Sequence, residues 1–263
     1  MRRPLAAAAA TFAALLVGLG LFEWWSLPDV RGLATAPPAR TALVRLRAAE
    51  AAARGRTPLL QQVWVHLAAI SPHLKHAVVV AEDAGFYGHG GVDFPELREA
   101  ILRDLKAGRL LRGGSTLTMQ LARTLYLSPR KTPIRKLREI LIAWRLEAAL
   151  SKDRILELYL NLVEWGDGIY GAEATARHYF GKGAADLTPE EAAALAARLP
   201  SPRRMSSQSL AWRTRVVLDR MRRFGFLPVG AEAPESLGLP GRPEPGPEGW
   251  EATGEEDEGE GEP

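Results

Sequence analysis

The alternation of apolar and polar positions separates an apolar N-terminal stretch from a longer body in which apolar residues recur every three or four positions. The apolar run covers residues 5–22 and follows two arginines. Roughly 20 apolar residues span a bilayer, and flanking positive charge stays on the cytoplasmic side. The pattern predicts a cytoplasmic stub and a transmembrane helix within residues 1–26, with the rest of the chain outside the cytoplasm. A cleaved signal peptide is the alternative, because residues 34–36 read Ala-Thr-Ala.

The body that follows the anchor is predicted to be mainly helical. Residues 27–58 are interpreted as a linker that leads into a short helix, and residues 59–228 as one all-α domain. One predicted helix begins near Asp93 and ends near Gly108, and another covers residues 131–149. The positions with helical spacing are Leu97, Ala100, Ile101 and Leu105 in the first helix, and Ile134, Leu137, Leu141 and Trp144, taken as the buried stripe, in the second.

Composition distinguishes this body from a polar C-terminal segment. Residues 229–263 are dominated by proline, glycine and glutamate, which predicts a disordered acidic tail. The net charge is +3, but eleven acidic residues and one arginine lie after residue 230, so the preceding part carries +13. A basic body suggests a polyanionic partner: nucleic acid, an anionic membrane surface or a phosphorylated substrate. The absence of cysteine excludes disulfides and thiolate metal sites.

Two adjacent carboxylates, Glu82 and Asp83, follow the apolar run of residues 77–81. A carboxylate at the point where an apolar element opens into a loop is partly desolvated, which raises its pKa toward the range of a general base. The glycine-rich segment after the pair lets the backbone come close to a ligand. The alternative is that the two carboxylates only cap a helix.

A second candidate site begins at the glycine pair of residues 113–114. Ser115 and Thr116 follow at the start of a helix, where free backbone N–H groups suit an anionic group. Gln120 and Arg123 share a face with Thr116, and the arginine adds a charged donor. An ordinary helix cap is the alternative, since many helices begin with these residue types.

The remaining candidates lie in later helices. Arg135 and Glu139 are one turn apart, which is also the spacing of a surface ion pair worth a few tenths of a kcal/mol. Residues 188–191 read Thr-Pro-Glu-Glu, a capping box with proline at the first helical position.

Taken together and in order, these segments resemble the five motifs of the glycosyltransferase family 51 peptidoglycan polymerases. The resemblance runs from roughly Trp64 to Arg220. With no room for a transpeptidase domain, the chain is similar to the monofunctional biosynthetic transglycosylases. The segments that carry the resemblance are Glu82, Asp83, Phe86, His89, Gly91 and Asp93; residues 113–123; Arg135, Lys136 and Glu139; residues 152–182; and residues 187–202.

The resemblance implies an all-helical, lysozyme-like, two-lobed domain that polymerises lipid II and releases undecaprenyl pyrophosphate. It implies a general base at Glu82 and a second catalytic glutamate at Glu139, which would hold the basic cluster or a divalent cation such as Mg²⁺ or Mn²⁺. No covalently bound cofactor is expected. His89, Asp93 and Asn161 need no chemical role, and Asn161 is interpreted as holding a turn. The residues implied to bind substrate are Asp83, Ser115, Thr116, Gln120, Arg123, Lys131, Arg135 and Lys136.

The resemblance also implies where the enzyme acts and with what. We expect a single-pass protein of the inner (cytoplasmic) membrane whose catalytic domain faces the periplasm. Its partners would be lipid II, the nascent glycan strand, the membrane and other cell-wall synthesis proteins, but not nucleic acid. Three positions depart from the family pattern, namely Met119, Thr124 and Lys131.

Two other functions fit parts of the same pattern. A muramidase would use a similar cleft and glutamate to cleave peptidoglycan, but glycan hydrolysis releases no pyrophosphate and does not need the basic face. A non-catalytic membrane scaffold would recruit proteins through the acidic tail. It would predict damage at Glu82 or Glu139, and both glutamates are present.

Overall fold

Helices make up most of the chain in the computed structural model. It describes residues 25–107, 114–128 and 132–228, together with isolated positions before residue 25. This confirms the prediction of a mainly helical protein. The α-helices among these residues are Ala42–Ala53 (α1), Pro72–Glu82 (α2), Phe94–Ala107 (α3), Leu117–Tyr126 (α4), Pro133–Ala149 (α5), Lys152–Leu162 (α6), Ala172–Phe180 (α7), Pro189–Arg198 (α8) and Ser207–Arg223 (α9).

Side-chain caps explain where most of these helices begin. A serine or threonine oxygen accepts a backbone N–H of the first turn, which satisfies a donor that has no partner within the helix. The predicted capping box at Thr188 and Glu191 is confirmed. The capping residues are Thr41, Ser71, Thr116, Thr132, Ser151, Thr188 and Ser206.

The structure contains a small sheet that the sequence did not predict, with one strand before α2 and two between α6 and α7. Its strands are Gln61–Gln62 (β1), Glu164–Gly166 (β2) and Ile169–Tyr170 (β3), in the order β1-β3-β2. β1 runs parallel to β3, with Gln61 opposite Ile169, and β2 is antiparallel to β3. Strands of two or three residues are too short to produce an alternating pattern.

Asn161 fixes the segment after β1 to helix α6. Its Oδ1 accepts the backbone N–H of Val65 at 3.0 Å, and its Nδ2 donates to the Val65 carbonyl at 2.9 Å. The side chain is fully buried. Asn161 is therefore a buried hydrogen-bonding residue, as predicted, but the segment it holds at Val65 is not a turn.

The helices form two groups that share one hydrophobic core. Helices α2, α8 and α9 contact one another, and α4 contacts α1, α5 and α6. The core between them includes Leu74, Phe86, Leu117, Leu121, Tyr159 and Trp165, each almost completely shielded from solvent.

The predicted buried stripe of α5 is wrong. Ile134, Leu137 and Trp144 are 63%, 49% and 40% exposed, and Leu141 is only partly buried. Apolar residues occur on more than one face of this helix, so their spacing alone could not identify the buried face. The side chains that are buried instead are Glu139, Ile142, Ala143 and Leu146.

The segment predicted as a linker contributes to the core. Leu27, Val30 and Leu33 are buried against the helical body. Two arginines hold this segment: Arg145 of α5 donates to the carbonyl of Leu27 at 3.0 Å, and Arg154 of α6 to that of Leu33 at 2.7 Å.

Both ends of the chain lie largely outside the described residues. This applies to the predicted anchor within residues 1–26, apart from a few isolated positions, and to the predicted acidic tail over residues 229–263. Within the part of the chain that the structure describes, no helix is long and apolar enough to cross a membrane.

Candidate active site

Glu82 is the last residue of α2, where the buried part of that helix opens toward solvent. Its Oε2 accepts a hydrogen bond of 2.8 Å from Nε2 of Gln120 on α4. Burial raises the pKa of Glu82, while the Gln120 hydrogen bond and the charges of Arg213, Arg123 and Arg220 oppose that rise. A raised pKa of this kind is expected of a general base. The alternative, that the two carboxylates cap a helix, describes Asp83, which is the C-cap residue of α2, but the Glu82 side chain makes no such contact among the described residues.

Gln120 is held from its other end by Tyr159 of α6. The Tyr159 hydroxyl donates to Oε1 of Gln120 at 3.0 Å. Burial raises the pKa of Tyr159 well above its usual value, so the hydroxyl stays protonated. Sequence reasoning placed Tyr159 in a motif without giving it a role, because its contact depends on how α6 packs against α4.

Asp83, predicted to bind substrate, has both carboxylate oxygens engaged by the protein. Oδ2 accepts the backbone N–H of Leu117, the first residue of α4, at 2.9 Å. Nε2 of His89 lies 3.0 Å from Oδ1 and 3.1 Å from Oδ2. The buried carboxylate therefore fixes the start of α4 next to the loop that follows Glu82.

Thr116 also holds α4 in place. Its hydroxyl donates to the Gly91 carbonyl at 2.6 Å and accepts the backbone N–H of Met119 at 3.2 Å. The ordinary cap that was the alternative reading thus describes this residue. Ser115, directly before it, turns toward α5 instead.

Ser115 joins a basic cluster around Glu139, which is only 1% exposed. Arg135 contacts one carboxylate oxygen of Glu139, and Nζ of Lys136 lies 3.3 Å from the other. Lys136 also donates to Oγ of Ser115 at 2.6 Å. Burial lowers the pKa of Lys136; the Glu139 carboxylate opposes this shift, and the charges of Arg123 and Arg135 add to it. The reading of Arg135 and Glu139 as a surface ion pair is wrong.

The surroundings of Glu139 do not fit a divalent cation held by the protein. Both of its carboxylate oxygens already face the cationic groups of Arg135 and Lys136. A divalent ion is bound by several oxygen ligands. Among the residues that the structure describes, no three acidic or histidine side chains gather to provide them.

Arg123 acts electrostatically on both Glu82 and the basic cluster. Its charge lowers the pKa of both Glu82 and Lys136, so its side chain lies near each of them. It is exposed. Glu82 and the basic cluster therefore lie near one another. Lys131, which the resemblance implies binds substrate, is outside the described residues.

Two of the departures from the family pattern lie in the interior. Met119 is completely buried against Val92 and Ala143. Thr124 is buried as well. Neither side chain is available to a ligand in the cleft, so these substitutions change packing rather than the surface that faces substrate.

Helix α9 supplies two arginines that sequence reasoning did not single out. Arg220 donates through Nη1 to the carbonyls of Val80 and Ala81, each at 3.3 Å, in the last turn of α2. Those carbonyls lie just before Glu82. Arg213 on the same helix also acts electrostatically on Glu82. The only signal in the sequence was that the resemblance extends to Arg220.

Comparison with known proteins agrees with this geometry. The family model of the transglycosylases matches residues 51–222. A biosynthetic peptidoglycan transglycosylase of Dechloromonas aromatica is 43% identical over 215 residues, which cover 79% of this chain and 93% of the relative. Proteins with the same description from Nitrosospira multiformis and Aromatoleum aromaticum are each 42% identical, covering 76% and 84% of this chain and 89% and 97% of their own lengths. The chain belongs to the transglycosylase family.

Membership confirms the family predicted from the five motifs. It also confirms the prediction that this chain is an enzyme, a peptidoglycan glycosyltransferase of cell-wall synthesis.

Proposed function

We propose that this glycosyltransferase polymerises lipid II with Glu82 as the general base. The carboxylate takes the proton of the GlcNAc 4-hydroxyl of the incoming lipid II. The 4-hydroxyl oxygen attacks the anomeric carbon of the growing chain. The bond from that carbon to the lipid pyrophosphate breaks, and the configuration at the anomeric carbon is inverted. A sugar hydroxyl is a weak nucleophile, so removal of its proton as the new bond forms accelerates the reaction by about 10²–10⁴-fold.

The surroundings of Glu82 are the observation that carries this proposal. Burial raises its pKa, which makes the carboxylate a stronger base than one in water. The Gln120 amide and three arginine charges keep the ionised form accessible.

The basic cluster is proposed to stabilise the departing pyrophosphate. Arg123 is exposed in the cleft, and Lys136 is partly exposed beside Ser115. Charge-assisted hydrogen bonds to phosphate oxygens are stronger than neutral ones. Arg135 and Lys131 complete the proposed binding set. Glu139 holds Arg135 and Lys136 in position, which is a supporting task.

The membrane setting is part of the same proposal. A lipid-linked substrate requires a catalytic domain at the bilayer surface, and the apolar run of residues 5–22 would anchor it there, on the periplasmic side of the inner membrane. The two-lobed, lysozyme-like arrangement that the family resemblance implies is part of the same proposal.

The test compares purified full-length protein with Glu82→Gln on labelled lipid II in detergent. Glu190→Gln is the matched control, because Glu190 makes no side-chain hydrogen bond or ion pair among the described residues. Long glycan strands from the wild type and the control, and none from Glu82→Gln, support the proposal. Polymer from Glu82→Gln at the wild-type rate contradicts the role of the base. Release of fragments from preformed glycan would favour a muramidase.

A further inference from the structure

Gln120 has both ends of its amide engaged inside the protein. Nε2 donates to Glu82 at 2.8 Å, and Oε1 accepts from the Tyr159 hydroxyl at 3.0 Å. Sequence reasoning assigned Gln120 to the lining of the cleft. The two contacts instead form a continuous chain of hydrogen bonds from the interior of α6, across α4, to the end of α2.

The direction of this chain follows from the chemistry of its members. An ionised carboxylate only accepts hydrogen bonds, so the amide must present its NH₂ group to Glu82. Its carbonyl oxygen then faces Tyr159, which has to donate. In the flipped orientation, the Gln120 carbonyl oxygen would face the Glu82 carboxylate, and the two negatively polarised oxygens would repel each other. The carboxylate therefore selects this amide orientation, and the tyrosine hydroxyl, which can donate or accept, stabilises it by donating to the carbonyl oxygen.

We propose that Tyr159 is a positioning residue for glycosyl transfer: its hydroxyl fixes the Gln120 amide, which in turn holds the Glu82 carboxylate toward the acceptor hydroxyl. This inference rests on the proposed role of Glu82 as the base. It assigns Tyr159 no contact with substrate. Its ring is buried between α4 and the core, so substrate cannot reach the hydroxyl.

Other charged groups also face the base and must stay unchanged in any test. Arg123 lies on α4, and Arg213 and Arg220 lie on α9. Asp83 and Glu82 both act electrostatically on Tyr159. Tyr159→Phe removes one neutral oxygen and leaves all five of these charges in place, so its effect reports on the hydrogen-bond chain.

The experiment measures kcat, KM and the pH profile of full-length Tyr159→Phe on lipid II. We expect kcat to fall about 3- to 10-fold, the loss that corresponds to one neutral hydrogen bond, with KM changed less than about twofold. The Gln120 hydrogen bond lowers the pKa of Glu82, so loosening it raises that pKa. The fall in activity on the acid side should therefore begin at a higher pH than in the wild type.

Two further variants separate positioning from general damage. Tyr170→Phe removes another buried tyrosine hydroxyl, one with no hydrogen-bond partner among the described residues, and should leave kcat and the acid limb unchanged. In a Gln120→Leu background, Tyr159→Phe should cause no further loss, because its path to Glu82 is already broken.

Each outcome distinguishes this inference from the function on which it rests. If Glu82→Gln is inactive while Tyr159→Phe keeps the wild-type kcat and acid limb, the positioning role is wrong and the base stands. The role is also wrong if Tyr159→Phe lowers kcat by the same factor with and without Gln120. If Glu82→Gln is active, the proposed base itself is wrong.

Discussion

Replacement of Glu139 by alanine should both destabilise the enzyme and remove its activity, because one pair of contacts, with Arg135 and Lys136, supports both. The carboxylate is 1% exposed and faces two cationic side chains. Removing it leaves Arg135 and Lys136 near each other without their common counter-charge. Breaking a buried ion pair in this way costs about 3–5 kcal/mol.

The lower end of that range applies because the Lys136 side chain is 36% exposed and can be partly hydrated. A loss of about 3 kcal/mol corresponds to a fall in Tm of about 6–12 °C for a domain of this size. The Tm of Glu139→Gln should fall less than that of Glu139→Ala, because the amide oxygen still accepts one hydrogen bond.

The assay pairs thermal unfolding with turnover of lipid II well below the Tm of each variant. Glu164→Ala is the matched control, since Glu164 is also buried and ion-paired, with Arg47 at 2.7 Å, but lies in β2. It should lose stability and keep its turnover. Glu139→Ala should lose both. A Glu139→Ala protein with the wild-type Tm would refute the coupling of the cluster, and one with wild-type turnover would refute its link to catalysis.

Two further predictions concern stability alone. Because folding raises the pKa of Glu82, the native state binds more protons than the unfolded chain between the ordinary and the raised pKa, and stability falls as the pH rises through that window. Glu82→Gln should therefore unfold at a higher temperature than the wild type at pH 7, with the difference shrinking toward pH 4; an equal difference at both pH values would contradict this. Gly171 has a φ of +82°, and an added Cβ would lie 2.8 Å from the Asn161 carbonyl oxygen, so Gly171→Ala should cost about 3 kcal/mol in chemical denaturation. Gly181 has a φ of +67° with open space around it, and Gly181→Ala should cost about 1–2 kcal/mol; equal losses would argue against the clash.

The sequence predicted the parts of the fold that depend on local signals. Helix α3 begins within a residue of its predicted start, because Asp93 accepts the backbone N–H of Glu96 in its first turn. Its predicted end near Gly108 lies outside the described residues. The capping box at the start of α8 was also predicted correctly. These features depend on neighbours in the chain, whose spacing the sequence states directly.

Features that depend on packing were not available from the sequence. The buried face of α5 is set by Glu139, whose charge is satisfied by residues three and four positions before it. Hydrophobic spacing favoured the opposite face. In the same way, the roles of Asp83 and Thr116 in holding α4 depend on a contact between segments more than twenty residues apart.

Helix α4 is the element through which these separate contacts act on Glu82, the proposed base. Its first turn is fixed by Asp83 and Thr116, which tie it to the loop after α2. Its middle carries Gln120, which reaches Glu82, and its last turn carries Arg123 between the base and the basic cluster. Residues three or four apart lie on one face of a helix, so fixing the first turn also fixes where Gln120 and Arg123 point. The adjacent Glu82 and Asp83 therefore have different roles. Glu82 is proposed to act as the base, and Asp83 positions the helix that supports Glu82.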